Sequence, residues 1–158
     1  MATFDTLDDF EVAGTRVLVR LDLNVPMADG KVSDLTRIER SIPTVAELSK
    51  LGARVVVLTH FGRPKGERQA DLSLAPIADA FSQVLGRPVA FAEDCIGSTA
   101  AKVVDALGNG DVALLENLRF HAGRSWRRWT RRSAIRRGRW RRWSAAPRSR
   151  PSSTCCKT

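Results

Sequence analysis

Apolar residues follow two kinds of spacing along the first 115 residues. In one kind they alternate with polar neighbours or form short unbroken runs, as at 16–25 and in RVVVLT at 54–59, and these patterns predict strands. In the other kind they recur every three or four positions, as between Ile38 and Leu51, and this spacing predicts helices. The predicted elements, in chain order, are a strand over 16–25, a helix that opens at 34 and closes at 52, a strand over 54–59, a helix over 73–85, a strand over 89–92, a helix over 98–107 and a strand over 112–115.

Short-range signals set the ends of the predicted helices. Asp34 and Ser73 are expected to cap the first and second helices, and Ser98 is expected to open the third. Gly86 suits the end of the second helix, because glycine tolerates the left-handed conformation found there. Pro43 falls inside the first helix and is expected to kink or restart it.

Strands and helices alternate along this part of the chain. Strands joined by helices form right-handed crossovers and hence a parallel sheet, so the pattern predicts an α/β fold with an open, doubly wound parallel sheet in a Rossmann-like three-layer α/β/α arrangement. Ligands of such sheets lie beyond the carboxyl ends of the strands. The residues that directly follow each strand are therefore the candidates for function.

Polar and charged residues follow three of the predicted strands. Arginine offers carboxylates and phosphates a planar fork of donors, whereas Asp and Asn suit a ligand hydroxyl. Together they indicate a small, hydroxylated phospho-acid as ligand. The candidate site residues are Asp22 and Asn24 after the first strand, Arg37 in the first turn of the first helix, His60 and Arg63 after the second strand, and Arg119 after the fourth.

Each candidate also has a purely structural interpretation. Arg37 is equally a surface charge, His60 a satisfied histidine at a strand end, and Asp22 and Asn24 turn residues that bond their own backbone. Gly62 and Gly66 can serve only the turn, and Glu116, which precedes Asn117 after the fourth strand, can simply cap that strand. The GRPKG run has neither Walker spacing nor the Ser or Thr that would hold magnesium, and the sequence shows no metal-ligand spacing and no catalytic triad.

Composition divides the 158 residues into two unlike segments. Residues 1–123 hold 13 basic and 17 acidic side chains, whereas residues 124–158 hold 12 arginines, Lys157 and no acid. The apolar runs fall far short of the roughly 20 residues that span a bilayer, and the acidic amino terminus does not resemble a secretory signal, so a cytoplasmic protein is expected. Cys95, Cys155 and Cys156 form no disulfide framework and are expected to be reduced and idle.

Six blocks of sequence closely resemble the phosphoglycerate kinase family. They occur in the family's order and spacing across residues 1–123, with Thr59 where serine is common and Phe61 where leucine is common. The blocks are RVLVRLDLNVPM at 16–27, DLTRI at 34–38, THFGRPKG at 59–66, SLAP at 73–76, FAEDCIG at 91–97 and LLENLRFHAG at 114–123.

The resemblance implies a function and a role for each candidate residue. Members of the family reversibly transfer a phosphoryl group between ATP and the carboxylate of 3-phosphoglycerate in glycolysis; an amino-terminal domain binds the phospho-acid, a carboxyl-terminal domain binds MgATP or MgADP, and the enzyme acts as a monomer. Asp22 and Asn24 match positions that contact the hydroxyl and carboxylate end of the substrate. His60, Arg63 and Arg119 match positions that hold its phosphate, and Arg37 matches the catalytic arginine near the transferring group.

The resemblance stops at Gly123. Residues 1–123 are therefore expected to form a partial amino-terminal domain that binds 3-phosphoglycerate, and the nucleotide-binding domain is expected to be absent, which would leave this chain inactive alone. All residues of 124–158 except Ile135 and Lys157 are of types whose codons carry G or C at the second position, which indicates a frameshift just after Gly123. The low-complexity tail is accordingly expected to be disordered, with no specific nucleic-acid or membrane partner.

One alternative assigns the tail a function. Pairs of arginines separated by tryptophans can bind nucleic acid or an anionic surface through phosphate contacts and stacking. The tryptophans concerned are Trp126, Trp129, Trp140 and Trp143.

Overall fold

The four predicted strands form a parallel sheet in the computed structural model, which describes residue 7, residues 10–121 and the backbone of residues 140–143. A short hairpin and a fifth sheet strand add to the predicted elements. In chain order the elements are strands β1 (Arg16–Arg20), β2 (Met27–Ala28) and β3 (Lys31–Val32), helix α1 (Thr36–Lys50), strand β4 (Arg54–Leu58), helix α2 (Ala75–Leu85), strand β5 (Val89–Ala92), helix α3 (Gly97–Asp105), and strands β6 (Val112–Leu115) and β7 (Trp140–Trp143). Strands β5 and β6 have the predicted bounds.

The sheet has the strand order β5-β6-β4-β1-β7, and every neighbouring pair is parallel. Val55 of β4 lies opposite Val17 of β1 on one side and Val112 of β6 on the other. The chain passes from β1 to β4 and on to β5 at one edge, and it then returns to place β6 between β5 and β4. It therefore builds the sheet in both directions. The predicted doubly wound parallel α/β fold is confirmed.

Two apolar cores cover the two faces of the sheet. Alternate residues of β4 belong to different cores: Val55 and Val57 pack with α1 and α2, whereas Val56 and Leu58 pack with α3. All four are buried. This arrangement explains the unbroken apolar run at 54–59, since a strand covered on both faces has no polar face.

Strand β1 ends at Arg20, five residues before the predicted end. The main-chain N–H of Leu21 still donates to Leu58 O over 2.9 Å, but β4 ends at Leu58 and offers no further ladder to the chain beyond. Side chains continue to alternate, with Leu21 and Leu23 buried and Asp22 exposed. The period-two pattern therefore extends past the last residue of the paired strand.

Helix α1 runs without a break through Pro43, so the chain does not restart there. Ile38, before the proline, and Val45 and Leu48, after it, all pack into the same core, which holds both halves in one helix. Helix α1 begins at Thr36 rather than at 34, and its N-cap position is Leu35 instead of the predicted Asp34. The carboxylate of Asp34 nevertheless accepts from the N–H of Thr36 over 2.8 Å.

Helices α2 and α3 differ slightly from their predicted bounds. Helix α2 starts at Ala75 rather than at 73, although Ser73 Oγ accepts from the Ala75 N–H over 3.3 Å. Its last residue is Leu85, and Gly86, with φ of 71°, occupies the C-cap position. Helix α3 starts one residue before Ser98 and ends at Asp105, short of the predicted 107. Ile77 and Phe81 of α2 lie in one core, and Ala100 and Val104 of α3 lie in the other.

Strand β7 was not predicted, since the sequence analysis expected no structure in the tail. Its backbone pairs with β1, Trp140 opposite Arg16 and Trp143 opposite Val19, and so continues the sheet beyond β1. The rest of the tail and the predicted domain end at 123 lie outside the described residues. Within the described part of the chain, no helix is both long and apolar enough to cross a membrane.

Candidate functional site

Three loops meet at the carboxyl edge of the sheet, where β1, β4 and β6 end. They carry five of the six residues predicted for the site, and the sixth, Arg37, lies in the first turn of α1. Side-chain contacts connect most of this group, and they distinguish the exposed residues from the buried residues that hold the loops.

Asp22 and Arg37 form an ion pair at the outer side of this edge. Arg37 Nη1 donates to Asp22 Oδ2 over 2.5 Å, and the two side chains are 52% and 62% exposed. Asp22 Oδ1 also lies 3.4 Å from the Asn24 N–H, a weak turn contact. An ion pair this exposed contributes only about 0.2–1 kcal/mol, so a ligand anion can compete with Asp22 for the guanidinium.

Gly62 connects the loops that follow β1, β4 and β6. Its N–H donates to Asn24 Oδ1 over 3.2 Å, and its carbonyl accepts from Arg119 Nη1. Its φ of +58° favours glycine, and a Cβ here would lie 2.7 Å from Leu72 Cδ2. Gly62 therefore does more than allow a turn, since its N–H binds Asn24 and its carbonyl binds Arg119.

Asn117 lies beneath this loop and is fully buried, at 0% exposure. Its Oδ1 accepts from the N–H groups of Phe61 (3.3 Å) and Arg119 (3.1 Å), and its Nδ2 donates to the carbonyls of Phe61 (2.8 Å) and Leu72 (3.0 Å). One amide thus fixes both the loop after β4 and the backbone that carries Arg119. The sequence analysis recorded Asn117 only as a polar residue after a strand and missed this role.

Glu116 is the second buried polar residue beneath the site, at 2% exposure. Its carboxylate accepts from Ser73 Oγ (2.7 Å), from the Leu74 N–H (2.8 Å) and from the Asn117 N–H (2.8 Å). These contacts tie the start of α2 to the end of β6. Glu116 therefore supports the loops of the site from below. The sequence signal for this role was a pair of polar residues, Glu116 and Asn117, directly after the apolar strand VALL.

His60 is half-buried at the start of the loop after β4, and its Nδ1 is buried without a hydrogen-bond partner among the described residues. Burial lowers the pKa of His60 from its usual 6.5, and the positive charges of Arg119 and Arg20 lower it further against the opposing effect of Asp22. The imidazole is therefore mainly neutral at neutral pH. A bound anion would raise this pKa.

Arg63 is exposed and follows Gly62 by one residue. It shares a loop with His60 but takes no part in the Asn24–Gly62–Arg119 link. The structure thus joins Asp22 to Arg37 directly and Asn24 to Arg119 through Gly62. His60 lies within electrostatic reach of Arg119 and Asp22. Arg63 is close to this group only because it follows Gly62 in sequence. Cationic and amide groups prevail, which suits a small anion rather than a metal ion.

Comparison with known proteins gives one consistent family. A family model described as phosphoglycerate kinase matches residues 7–134, and so extends past Gly123. The phosphoglycerate kinase of Granulibacter bethesdensis is 62% identical over 120 residues, covering 76% of this chain and 30% of that protein. That of Allorhizobium ampelinum is 59% identical over 124 residues, covering 78% and 31%.

Solved structures agree with the sequence comparisons. The crystal structure of phosphoglycerate kinase from Pyrococcus horikoshii OT3 matches with a TM-score of 0.67 and 38% identity, over 73% of this chain and 28% of that one. The structure of the enzyme from Coxiella burnetii matches with a TM-score of 0.66 and 36% identity, over 77% and 29%. This chain spans about 30% of the length of these relatives.

Proposed function

Because the chain belongs to the phosphoglycerate kinase family, we propose that its described domain binds 3-phosphoglycerate at the carboxyl ends of β1, β4 and β6. The bound acid would be one partner in reversible phosphoryl transfer with ATP in glycolysis. The observation that carries the proposal is the hydrogen-bonded link from Asn24 through Gly62 to Arg119, which holds the guanidinium within electrostatic reach of the His60 imidazole.

The charges divide the site into two ends. Arg119, His60 and the exposed Arg63 supply donors and positive charge for the phosphate. Asn24 and Asp22 suit the hydroxyl and carboxylate end of the acid, and Arg37 sits beside Asp22 at that end. The carboxylate that accepts the phosphoryl group then lies near Arg37, which would neutralise the charge of the transferring group.

The nucleotide would be held elsewhere in the enzyme. Phosphoryl transfer depends mainly on positioning, and well-oriented reactants gain on the order of 7–11 kcal/mol from it. The described site offers an anion cradle for the acid, while Mg²⁺ with ATP needs carboxylate or amide oxygens that the acid-free segment 124–158 does not contain. We therefore expect the 158 residues by themselves not to catalyse the transfer.

Calorimetric titration of the 158-residue protein with 3-phosphoglycerate tests the binding site. Arg119→Ala removes a charged donor and should weaken binding about tenfold or more. Arg54→Ala is the matched control: this arginine lies at the opposite edge of the sheet, where its Nε donates to Asn109 over 3.2 Å, and its loss should leave affinity unchanged. Equal affinities of both variants and the parent would contradict the assignment.

A coupled NADH assay tests the expectation about turnover. The positive control is the phosphoglycerate kinase of Granulibacter bethesdensis, of whose length this chain covers 30%. Turnover of the 158-residue protein within about a hundredfold of that control would contradict the positioning argument, because a reaction without an ordered nucleotide site should lose many decades of rate.

A further inference from the structure

Three potential metal ligands converge at the same edge of the sheet, next to Asn117, whose main-chain carbonyl accepts from Cys95 Sγ over 3.8 Å. Asp94 and Cys95 follow β5, and His121 follows β6, which is the neighbouring strand. One ligand atom from each residue (a carboxylate oxygen, the Cys95 Sγ and a ring nitrogen) lies within 4.8 Å of the other two. An idle thiol was expected here, because Cys95 is the only cysteine of residues 1–123 and has no metal-ligand spacing to the other two.

The cysteine of the cluster is buried, whereas the other two side chains are partly exposed. Cys95 is 1% exposed, whereas the side chains of Asp94 and His121 are 34% and 39% exposed. The carboxylate and the imidazole are therefore accessible to an ion from solvent, and Cys95 Sγ lies close to both. Asp94 Oδ1 accepts from the Ile96 N–H over 3.2 Å, which orients the carboxylate, and outer contacts of this kind strengthen metal sites.

A tetrahedral ion would need the ligand atoms to move by about 1 Å. Bonds to zinc of about 2.3 Å from sulfur and about 2.0–2.2 Å from nitrogen and oxygen place tetrahedral ligands roughly 3.3–3.6 Å apart. Asp94 Oδ1 and His121 Nε2 lie 2.7 Å apart, so an ion bound by both needs to separate them by less than about 1 Å. Both side chains are partly exposed and have room for this adjustment. Cys95 Sγ lies within 4.8 Å of both atoms and would exchange its hydrogen bond to Asn117 O for the metal.

We propose that Asp94, Cys95 and His121 bind a transition-metal cation of the Zn²⁺ class, with water as the fourth ligand. Sulfur and imidazole nitrogen favour such ions over Mg²⁺ and Ca²⁺, which prefer oxygen. Binding forms bonds to Sγ, to a ring nitrogen of His121 and to a carboxylate oxygen of Asp94, and it releases the thiol proton to solvent. The ion joins the segment after β5 to the segment after β6, two residues beyond Arg119.

Cobalt and zinc titrations of the untagged 158-residue protein test this proposal. Cys155 and Cys156 could also bind metal, so all measurements use a Cys155→Ser/Cys156→Ser background. One equivalent of Co²⁺ should produce a thiolate-to-metal charge-transfer band, and Zn²⁺ should displace it and raise the Tm. Cys95→Ser, which is nearly isosteric, should abolish the band, and His121→Gln should weaken Zn²⁺ binding at least about tenfold.

The matched control is His60→Gln, since His60 is the other histidine of the chain and lies outside the cluster. This variant should keep the band and the affinity of the background protein. Absence of the band from the background protein, or its persistence in Cys95→Ser, would overturn the proposal. Equal Zn²⁺ affinity of the background protein and His121→Gln would also overturn it, and would leave Asp94 and His121 as a hydrogen-bonded pair above a buried thiol.

Discussion

Replacing Asn117 by alanine should destabilise the domain severely. The change removes four side-chain hydrogen bonds, two that the amide accepts and two that it donates, from a position with 0% exposure. A typical intramolecular hydrogen bond contributes about 0.5–1.5 kcal/mol, so the four together predict a loss of about 2–6 kcal/mol in the free energy of unfolding. We expect a loss in the upper part of this range, because the substitution leaves backbone groups of Phe61, Leu72 and Arg119 without their hydrogen-bond partner.

Urea unfolding followed by far-ultraviolet circular dichroism measures this loss. Tryptophan fluorescence is unsuitable, because all four tryptophans lie in residues 124–158. Asn109→Ala is the matched control: Asn109 is exposed and accepts one bond, from Arg54 Nε, so its loss should change stability by at most about 0.5 kcal/mol.

A second variant separates the hydrogen bonds from the volume of the side chain. Asn117→Asp keeps the shape but turns the donating group into an oxygen that faces two carbonyls, so it should destabilise at least as much as alanine does. If Asn117→Ala costs less than about 1 kcal/mol, or if Asn117→Asp is neutral, then Asn117 does not support the site in the way described.

Two further predictions concern residues around the site. Because the folded state holds the pKa of His60 below 6.5, the unfolded state binds more protons, and the free energy of unfolding should fall as the pH drops through 6.5 toward the lowered folded-state pKa. In urea unfolding measured over a pH series, His60→Gln should flatten this part of the pH dependence. An unchanged slope would count against the burial of the imidazole. Gly62→Ala should lower the free energy of unfolding by more than Gly30→Ala. Both glycines have positive φ, so alanine costs about 1–2 kcal/mol of backbone strain at either position, but only at Gly62 does the added Cβ contact Leu72. Equal losses in chemical denaturation would refute the steric argument.

The parts of the fold that the sequence predicted depend on short-range patterns. Strand β4 and strand β6 are apolar at every buried position, and Gly86 ends α2 by its own conformational preference, so neighbouring residues suffice to place them. The end of β1 depends instead on where its neighbour β4 stops, and this information lies in a different part of the chain.

The candidate site divides in the same way. Residues such as Arg37 and Arg119 could be named because arginines that follow strands suggest an anion, and the family resemblance assigns each a role. The supporting residues could not be named, since Asn117 acts through backbone groups of Phe61 and Leu72, about 50 residues earlier in the chain. Strand β7 escaped prediction for a related reason: its pairing with β1 uses backbone groups, and an Arg/Trp composition shows no apolar alternation.

The insertion of β6 between β5 and β4 sets an order for folding during synthesis. Strand β4 emerges from the ribosome early and can pair with β1, but its other edge stays open until residues 112–115 have been made. Strand β5 also has no sheet neighbour within the described residues before that point, since it pairs only with β6. Parallel pairings between distant segments form slowly. The apolar strand β4 is therefore exposed to pairing with other chains until β6 has been synthesised.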